Sequence, residues 1–393
     1  MLKLNLNPTD VLLFRDGRAF NAGQAQNAQT LMPPPPRTIY GALRALIMSH
    51  GEENSLLSYS AETPLTEPVE RYAGTAKELG ALEIGPVFFT NTKTGEELFP
   101  TPADVAIAGQ SESQQVVMSG PKEGKKTSNI RSNLPTGLAL VWQNEQTGKT
   151  DVPKYITKKG MDKYLQLEQL VNSTSQRDFA DEASLYIYEN RTGIKIGESR
   201  AAEEHYLYSV NFARVLGDVR ISSYVFNEQL PEFVPKKGLL KLGGENKSAG
   251  YELVEERIPE IPERLKKTIE ETKRFKLVLM SPAYFKAGTT PDFVRQEEKN
   301  MRGELGGKPV RLVGVCTNGS QQIGGYSIVR TETRGNWKKR RKYVQVGTVY
   351  YFEADELDVE ALFKQCWWKS VQQDENLRKE GFGYTIIGSW NYV

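Results

Sequence analysis

Clusters of basic residues are the part of this 393-residue sequence best suited to chemistry. The densest cluster runs from Arg330 to Lys342 and holds seven basic residues against one acid, Glu332, with Trp337 among them. A basic run that contains an aromatic ring suits contacts with the phosphates and bases of a nucleic acid. The same composition also fits the solvated tip of a β-hairpin, so both interpretations stand. The candidate RNA-binding residues here are Arg334, Lys338, Lys339, Arg340 and Arg341.

A second candidate site lies near the start of the chain, from Phe14 to Ser49. A basic loop leads into four prolines, 33–36, which resist helix formation, and then into a helical pattern. A helix N-terminus beside an arginine suits a phosphate, because unpaired N–H groups and the helix dipole both favour an anion. Periodicity alone favours an ordinary first helix after a stiff loop. The candidate residues here are Arg15, Arg18, Asn21, Arg37, Tyr40 and Arg44.

Two glycine-containing segments form a third candidate set. Gly243 and Gly244 precede Lys247, and glycines there would let backbone N–H groups approach a ligand closely. A simple tight turn is the alternative. The second segment, Gly381-Phe382-Gly383-Tyr384, resembles part of the RNP1 pattern, in which aromatic rings on a sheet stack on bases. Glu380 occupies the usual basic position of that pattern. The alternative is that the two rings are core residues, and we expect that of one of them.

A long segment at 103–136 is rich in Ser, Gln, Gly and Lys, and its periodicity fades. It is predicted to form a long loop or an extended hairpin, and loops of this length are usually functional or disordered. Two interpretations stand: a solvated insertion, or an arm that contacts RNA or a neighbouring protein. The basic residues Lys125, Lys126 and Arg131 are its candidates for contact with RNA.

The sequence offers little for catalysis. Its two histidines are His50, at a predicted helix end where capping is expected, and His205, in a strand-like segment. No Walker loop, HExxH motif or nucleophile elbow occurs. The two cysteines are fifty residues apart with no CxxC, which argues against a zinc site and gives no reason to expect a disulfide. We therefore predict no catalytic residue, no metal and no cofactor.

Composition describes a globular protein with 38% hydrophobic and 25% charged residues. The net charge is only +2, so local clusters must attract any polyanion. No apolar run approaches a membrane-spanning length and no signal peptide is evident, so a cytoplasmic location without membrane contact is predicted.

Alternating leucines at positions 2, 4 and 6 predict a first strand. The first helix is predicted to follow an N-cap at Thr38, to end near Gly51, and to bury one apolar stripe. That stripe consists of Ile39, Leu43, Leu46 and Ile47. Residues 86–100 are predicted to form a hairpin with its turn at Thr94-Gly95. Because the pattern restarts at Val219, we predict domains at 1–215 and 216–393.

Several of these segments together resemble one protein family. The early segments are Arg15-Asp16-Gly17-Arg18 and Pro34-Pro35-Pro36-x-Thr38-x-Tyr40-Gly41-Ala42-Leu43-Arg44. The later ones are Leu242-Gly243-Gly244-Glu245, Val346-Gly347-Thr348-Val349 and Gly381-Phe382-Gly383-Tyr384. In this order they resemble the third Cmr subunit, a RAMP protein of type III-B CRISPR effector complexes. The resemblance implies an α+β fold of two ferredoxin-like, RRM-related βαββαβ domains with long loop insertions.

The same resemblance implies a function. The chain would be a non-catalytic RNA-binding subunit of an RNA-guided antiviral complex that grips the 5′ tag of the crRNA. Its protein partners would be the large polymerase-like Cmr subunit and the backbone RAMP subunits. Arg15, Arg18 and Arg37 would neutralise phosphates, while Gly243, Gly244 and the 381–383 loop would present N–H donors. Two other readings remain open: a metal-independent RAMP endoribonuclease that processes CRISPR repeat RNA, and a protein-only scaffold.

Overall fold

The alternating leucines at the start of the chain form the predicted first strand in the computed structural model, with Leu4 and Leu6 buried. The structure describes residues 1–15, 26–51, 65–75, 78–108, 115–123, 134–143, 153–172, 177–196, 202–226, 230–325 and 338–393. Among these, only the backbone is described for 26–28, 108, 115, 194–196 and 202–208.

The described strands fall in three stretches of the chain. The first eight are β1 (Leu2–Pro8), β2 (Gln26–Gln29), β3 (Ile84–Asn91), β4 (Glu97–Pro100), β5 (Val105–Ala108), β6 (Gln115–Met118), β7 (Gly120–Pro121) and β8 (Val141–Trp142). The next seven are β9 (Tyr155–Thr157), β10 (Phe179–Ala180), β11 (Tyr186–Ile196), β12 (Ala202–Val215), β13 (Val219–Val225), β14 (Lys237–Lys241) and β15 (Ser248–Glu255). The last nine are β16 (Arg274–Leu279), β17 (Val294–Glu297), β18 (Asn300–Leu305), β19 (Lys308–Cys316), β20 (Ser320–Ile323), β21 (Arg341–Val344), β22 (Val349–Glu353), β23 (Lys369–Ser370) and β24 (Tyr384–Gly388).

The described α-helices are α1 (Pro36–His50), α2 (Glu67–Ala73), α3 (Lys158–Leu165), α4 (Glu263–Thr272), α5 (Val359–Cys366) and α6 (Glu375–Lys379). None of these helices is long and apolar enough to cross a membrane.

The first sheet contains eight strands in the order β10-β9-β4-β3-β13-β1-β15-β14. Its centre, β15-β1-β13-β3, has the fourth, first, third and second strands of a ferredoxin-like unit, with α1 between the first two. The second sheet has the order β17-β18-β19-β22-β16-β24-β23. Its centre, β24-β16-β22-β19, repeats that arrangement, with α5 between β22 and β24. Between β16 and β19, where a ferredoxin-like unit has its first helix, the described chain instead forms the β17–β18 hairpin. The predicted α+β, ferredoxin-like fold class is therefore confirmed.

The chain passes from the first sheet to the second after residue 255, whereas the predicted domain boundary lies at 215/216. Strands β13, β14 and β15 all belong to the first sheet, and β1 pairs with both β13 and β15. The first unit therefore continues to Glu255, and the second sheet begins at Arg274. The sequence pattern does restart at Val219, but it restarts with the third strand of the first unit. Its partner lies more than 200 residues earlier, and local periodicity carries no information on such pairing.

Helix α1 begins earlier than predicted. Pro35 occupies the N-cap and Pro36 the first helical position, where proline is favoured because its missing N–H would be unpaired anyway. The predicted stripe of Ile39, Leu43, Leu46 and Ile47 is buried, as expected. The predicted hairpin also forms, as β3 and β4, with Gly95 at φ +72° in its turn.

The hydrophobic core has two layers, of which the second joins the units. One layer packs α1 and α2 on the outer face of the first sheet, around Leu43 and Phe89. The other lies between the two sheets and continues under α4 and α5. There Trp368 of the second unit contacts the rings of Phe99 and Tyr224 of the first, with centroids 5.6 and 5.2 Å away. The inner faces of both sheets are therefore covered where the units meet.

The segment at 103–136 forms part of this junction. Its described portions include the β5–β6 hairpin, which agrees with the predicted extended hairpin. Asp104 is buried and accepts hydrogen bonds from Tyr164 and Tyr351, at 2.7 and 2.8 Å. Lys276 of β16, also buried, places its Nζ 3.5 Å from the same carboxylate. Lys125, Lys126 and Arg131 lie outside the described residues.

Candidate nucleic-acid interface

A buried carboxylate at the junction of the two units joins three of the candidate segments. Glu380 is 2% exposed and precedes the Gly381–Gly383 loop. Its Oε2 accepts a hydrogen bond from Nε of Arg37, on the first turn of α1, at 2.7 Å. Its Oε1 lies 2.6 Å from Nζ of Lys338, just before β21. Helix α1, the basic run and the C-terminal glycine loop thus meet at one side chain.

The guanidinium of Arg37 makes further contacts inside the protein. It donates to the carbonyl oxygen of Gly324 at 3.0 Å and to the Tyr343 hydroxyl at 3.4 Å, and it lies 5.2 Å from the Phe382 ring centroid. Burial opposes the charge of Arg37, but the Glu380 carboxylate and the Tyr343 hydroxyl together more than offset it, so the pKa of Arg37 is raised. Burial likewise opposes the charge of Glu380, yet Arg37 and Lys338 keep its pKa below the ordinary range. Arg37 is therefore engaged within the protein, whereas the sequence suggested a phosphate ligand.

Tyr40 and Arg44 also point into the protein. Tyr40 is 3% exposed, and its hydroxyl is one of two buried side-chain atoms without a hydrogen-bond partner among the described residues. Nε of Arg44 donates to the carbonyl oxygen of Ala73 and Nη2 to that of Thr75, both at 2.6 Å. Arg44 thus holds the C-terminal end of α2 against α1.

The described part of the basic run is residues 338–342, and most of it is exposed. Strands β20 and β21 pair with each other, and these strands together with residues 338–340 are here called the basic hairpin. Lys339, Arg340 and Lys342 are exposed, and none has an ion-pair partner in the described part of the chain. Arg341 instead stacks over the Tyr284 ring, 4.7 Å from its centroid, and lies 3.9 Å from Asp374. Arg334 lies outside the described residues. Counting only described residues as partners, the hairpin therefore presents three cations without an ion pair, and its base is fixed by Lys338 and Arg341.

The first glycine segment is a tight turn. Gly243 has φ +81°, and a Cβ there would lie 2.7 Å from the carbonyl oxygen of Leu13, which already accepts the N–H of Gly244 at 2.8 Å. Lys247 pairs with Asp10 at 3.0 Å, and this hydrogen bond is the main cause that lowers the pKa of Asp10 to about 2. The turn interpretation, left open by the sequence, accounts for Gly243 and Gly244.

The N–H groups of the second glycine segment are also used internally. Gly381 donates to the carbonyl of Arg378, Phe382 to that of Leu377, and Gly383 to that of Pro282. The N–H of Tyr384 donates to the Ser281 hydroxyl at 3.0 Å. The expectation that this loop presents N–H donors to RNA is thus not met, because each donor already has a protein acceptor.

Both aromatic rings of this segment are core residues, where the sequence predicted one. Phe382 is fully buried and stacks on Tyr343, with centroids 4.7 Å apart. Tyr384 is fully buried, stacks on Phe226 at 5.2 Å and donates its hydroxyl to Glu83 at 2.7 Å. A base would reach either ring only after the core opened. Sequence reasoning also missed the role of Glu380, although an acid at the basic RNP1 position was the available signal.

A cleft with a volume of about 480 Å³ adjoins the basic hairpin. Its first wall is the proline run of residues 33–36, together with Thr101 and Lys154 of the first unit. Its second wall includes Asn318, Gln321 and Gln345, whose amide groups can both donate and accept hydrogen bonds. Gln321 belongs to β20, so the cleft and the exposed cations share one hairpin.

The remaining predicted residues are placed as follows. Arg15 is exposed, and its backbone bridges to Thr30. Nδ1 of His50 lies 3.1 Å from the carbonyl oxygen of Leu46, which fits the predicted capping role. No group of three or more His, Cys, Asp or Glu side chains suited to a metal occurs among the described residues. Arg18 and Asn21 lie outside them, as does the side chain of His205.

The structure has two ferredoxin-like units joined through their sheet faces, with a glycine-rich loop before the last strand, which is the kind of fold that the sequence resemblance implied. The chain belongs to the family described as "CRISPR-associated protein (Cas_Cmr3)", whose model matches residues 4–390. The family resemblance seen in the sequence is therefore confirmed.

Solved structures show similar chains at low identity. A chain of the type III-B Cmr-beta complex bound to cognate target RNA has 16% identity and a TM-score of 0.47, with 89% of this chain and 86% of that chain covered. The same complex with AMPPnP also bound gives 16% identity, the same coverage and a TM-score of 0.46. A chain of the Csm3-Csm4 subcomplex of the type III-A interference complex gives 12% identity, full coverage of both chains and a TM-score of 0.39. No curated protein sequence matches this chain.

Proposed function

We propose that this chain is a non-catalytic RNA-binding subunit of a type III-B CRISPR effector complex. In this role it grips the 5′ tag of the crRNA and docks onto the large polymerase-like subunit and the backbone RAMP subunits. Family membership over residues 4–390 supports the assignment to such a complex. The observation that carries RNA binding is the set of exposed cations on the basic hairpin, which lack ion-pair partners among the described residues and lie beside the amide-lined cleft.

The basic hairpin combines a fixed base with cations that have no ion-pair partner among the described residues. Lys338 and Arg37 share the buried Glu380, which anchors the basic hairpin to both units. Beyond this anchor, Lys339, Arg340 and Lys342 keep their charges available to phosphates, and phosphate contacts supply most sequence-independent affinity. The amide side chains of the cleft can hydrogen-bond to base edges, which is how single-stranded RNA is read. The charged hairpin would position the tag, and the cleft would receive one of its bases.

Direct binding tests this proposal. Anisotropy of a labelled tag RNA would be measured with the wild-type chain and with the K339A/R340A/K342A variant. We expect the variant to bind more weakly. The control is K236A/K237A/K241A, which removes equal charge from exposed positions around β14. If the hairpin variant and the control variant bind the tag RNA with equal affinity, the basic hairpin does not contact the RNA. If the wild-type chain shows no salt-sensitive RNA binding at all, a protein-only scaffold is the correct reading.

The alternative, a metal-independent RAMP endoribonuclease, needs a positioned acid–base group. His50 caps its own helix, and the amine of Lys276 is buried, which lowers its pKa although Asp104 opposes the shift. Incubation of the chain with labelled repeat RNA in chelator separates the two functions. Specific cleavage that is lost in the His205→Ala variant would establish the enzyme.

A further inference from the structure

One face of the second sheet carries arginines that lie directly opposite one another on adjacent strands. Arg295 of β17 is the Cα partner of Arg302 on β18, and Arg302 is the partner of Arg311 on β19. Arg311 and Arg274 both have Glu353 of β22 as their partner, from its two sides. Residues directly opposite in antiparallel strands share one face of the sheet. These five residues, here called the arginine row, therefore cross five neighbouring strands on one face.

The arginine row lies on the face of the second sheet opposite α4 and α5, beyond the residues of the same face, Lys276 and Tyr351, that are buried at the junction. The neighbouring residues Val294, Met301 and Phe352 are buried on the opposite face, in the core under α4 and α5. Arg295 and Arg302 are exposed, and the side chains of Arg274 and Arg311 are 34% and 38% exposed. A cleft of about 550 Å³ is lined by Arg274, Arg302, Arg311 and Lys273. The row is thus accessible to a ligand.

Its charges are poorly balanced within the protein. Glu353 pairs with Arg274, whose Nε lies 3.1 Å from Oε1, and also with Arg311. Neither Arg295 nor Arg302 has an ion-pair partner within 4.0 Å among the described residues. The row keeps a net charge of +3, and like charges directly opposite on neighbouring strands destabilise a sheet. The acids Glu297 and Glu304 lie two positions along the same strands without pairing with the row. A bound anion would relieve this repulsion.

The length of the arginine row limits which anion fits. Five strands span four intervals, or roughly 19 Å at the usual strand spacing. A single phosphate reaches only one pair of neighbouring arginines, whereas an extended polyanion can contact them all. The guanidinium fork binds phosphate oxygens through two parallel hydrogen bonds. At one end Arg274 lies over the partly exposed Tyr392 ring, 4.7 Å from its centroid. An aromatic ring beside phosphate-binding groups is typical of single-strand binding sites.

We infer that the arginine row is a second RNA-binding surface, which takes the phosphate backbone of a single-stranded RNA. It lies at the Arg274 end of β16, while the basic hairpin joins the chain beyond the other end, where Ala283 bridges to Val344. The two surfaces are therefore separate, and the arginine row does not depend on the assignment of the tag to the hairpin.

The test uses a R295Q/R302Q variant of the full chain, a fluorescein-labelled oligouridine as probe, and a salt titration. Two lost phosphate contacts should flatten the plot of log affinity against log salt by about 1.4. Without RNA, the variant should melt at or above the wild-type temperature at low salt, because two opposed charges are gone. The control is K267Q/K364Q, which removes the same charge from exposed positions on α4 and α5, the other face of the sheet.

Each outcome decides one point. If R295Q/R302Q keeps the slope of the control, the arginine row does not bind RNA and the inference fails. If it binds polyglutamate more weakly than the control does but oligouridine equally well, the row takes an acidic protein segment and the RNA assignment is overturned. The K339A/R340A/K342A variant, measured in the same titration, reports on the hairpin alone. A loss confined to that variant refutes the arginine row and leaves the proposed tag-binding surface intact.

Discussion

Gly381 of the second unit lies directly against Gly85 of the first: a Cβ on Gly381 would be 2.8 Å from the carbonyl oxygen of Gly85. Gly381 also has φ +88°, a conformation that side chains rarely adopt. The first residue of the glycine-rich loop is thus a point of contact between the units. Its role in this structure is close packing.

The Gly381→Ala variant should therefore lose stability for two reasons, backbone strain and a clash between the units. Strain alone costs on the order of 1–3 kcal/mol, and the clash adds to it. Gly95→Ala is the matched control, since Gly95 has φ +72° but nothing within 4 Å of its Cβ position. Thermal denaturation of both variants measures the difference. Equal losses would show that the contact with Gly85 contributes nothing.

The second prediction is that loss of the buried Glu380 carboxylate destabilises the protein. Glu380→Gln leaves Arg37 and the partly exposed Lys338 without their shared anion, at a cost on the order of 3 kcal/mol. Glu356→Gln is the control, because it removes an exposed partner of Lys308, and ion pairs at the surface contribute little to stability. Urea denaturation at neutral pH compares the two. A loss for Glu380→Gln no larger than that of the control would contradict the anchor role.

The third prediction is that the stability contributed by Glu380 depends on pH. The pKa of Glu380 is lower in the folded chain than its ordinary value of 4.5, so the folded state favours the ionised form. The stability that it contributes is present above pH 4.5 and is lost as the pH falls through the lower, folded pKa. In an acid titration monitored by denaturation, the gap between wild type and Glu380→Gln should narrow below about pH 4.5. A gap that stays constant into acid would show that ionisation of Glu380 is not involved.

The fourth prediction is that the buried Tyr384 hydroxyl contributes to stability and not to RNA binding. In Tyr384→Phe the ring stays on Phe226, but Glu83 loses its hydrogen bond. Bonds to a charged group are worth about 1.5–3 kcal/mol, so stability should fall by that amount while RNA affinity stays unchanged. Tyr350→Phe, which loses a bond to the uncharged carbonyl of Thr289, should cost less. An affinity loss without a stability loss would instead mean that Tyr384 contacts RNA.

The number of residues that separate two interacting groups in the sequence explains which predictions were confirmed. The stripe of α1 and the turn at Gly95 depend on neighbours within a few residues, and both were predictable. The ion pair between Arg37 and Glu380 joins residues 343 positions apart, and no periodicity reports such a contact. For the same reason the sequence could not show that Pro282 accepts the N–H of Gly383, or that β13 pairs with β1.

The last prediction separates phosphate contacts from base contacts on the basic hairpin. Lys339, Arg340 and Lys342 are exposed and unpaired among the described residues, so each can neutralise one phosphate. For single strands, log affinity falls against log salt with a slope of about −0.7 per neutralised phosphate, so K339A/R340A/K342A should flatten the slope by roughly 2. A Gln321→Ala variant, which removes one amide from the wall of the cleft, should weaken binding of the tag RNA without changing the slope. The measurement is a salt titration of tag-RNA binding for wild type, both variants and the K236A/K237A/K241A control. If the hairpin variant keeps the slope of the control, its cations face solvent or protein, and the RNA path along the hairpin has to be abandoned.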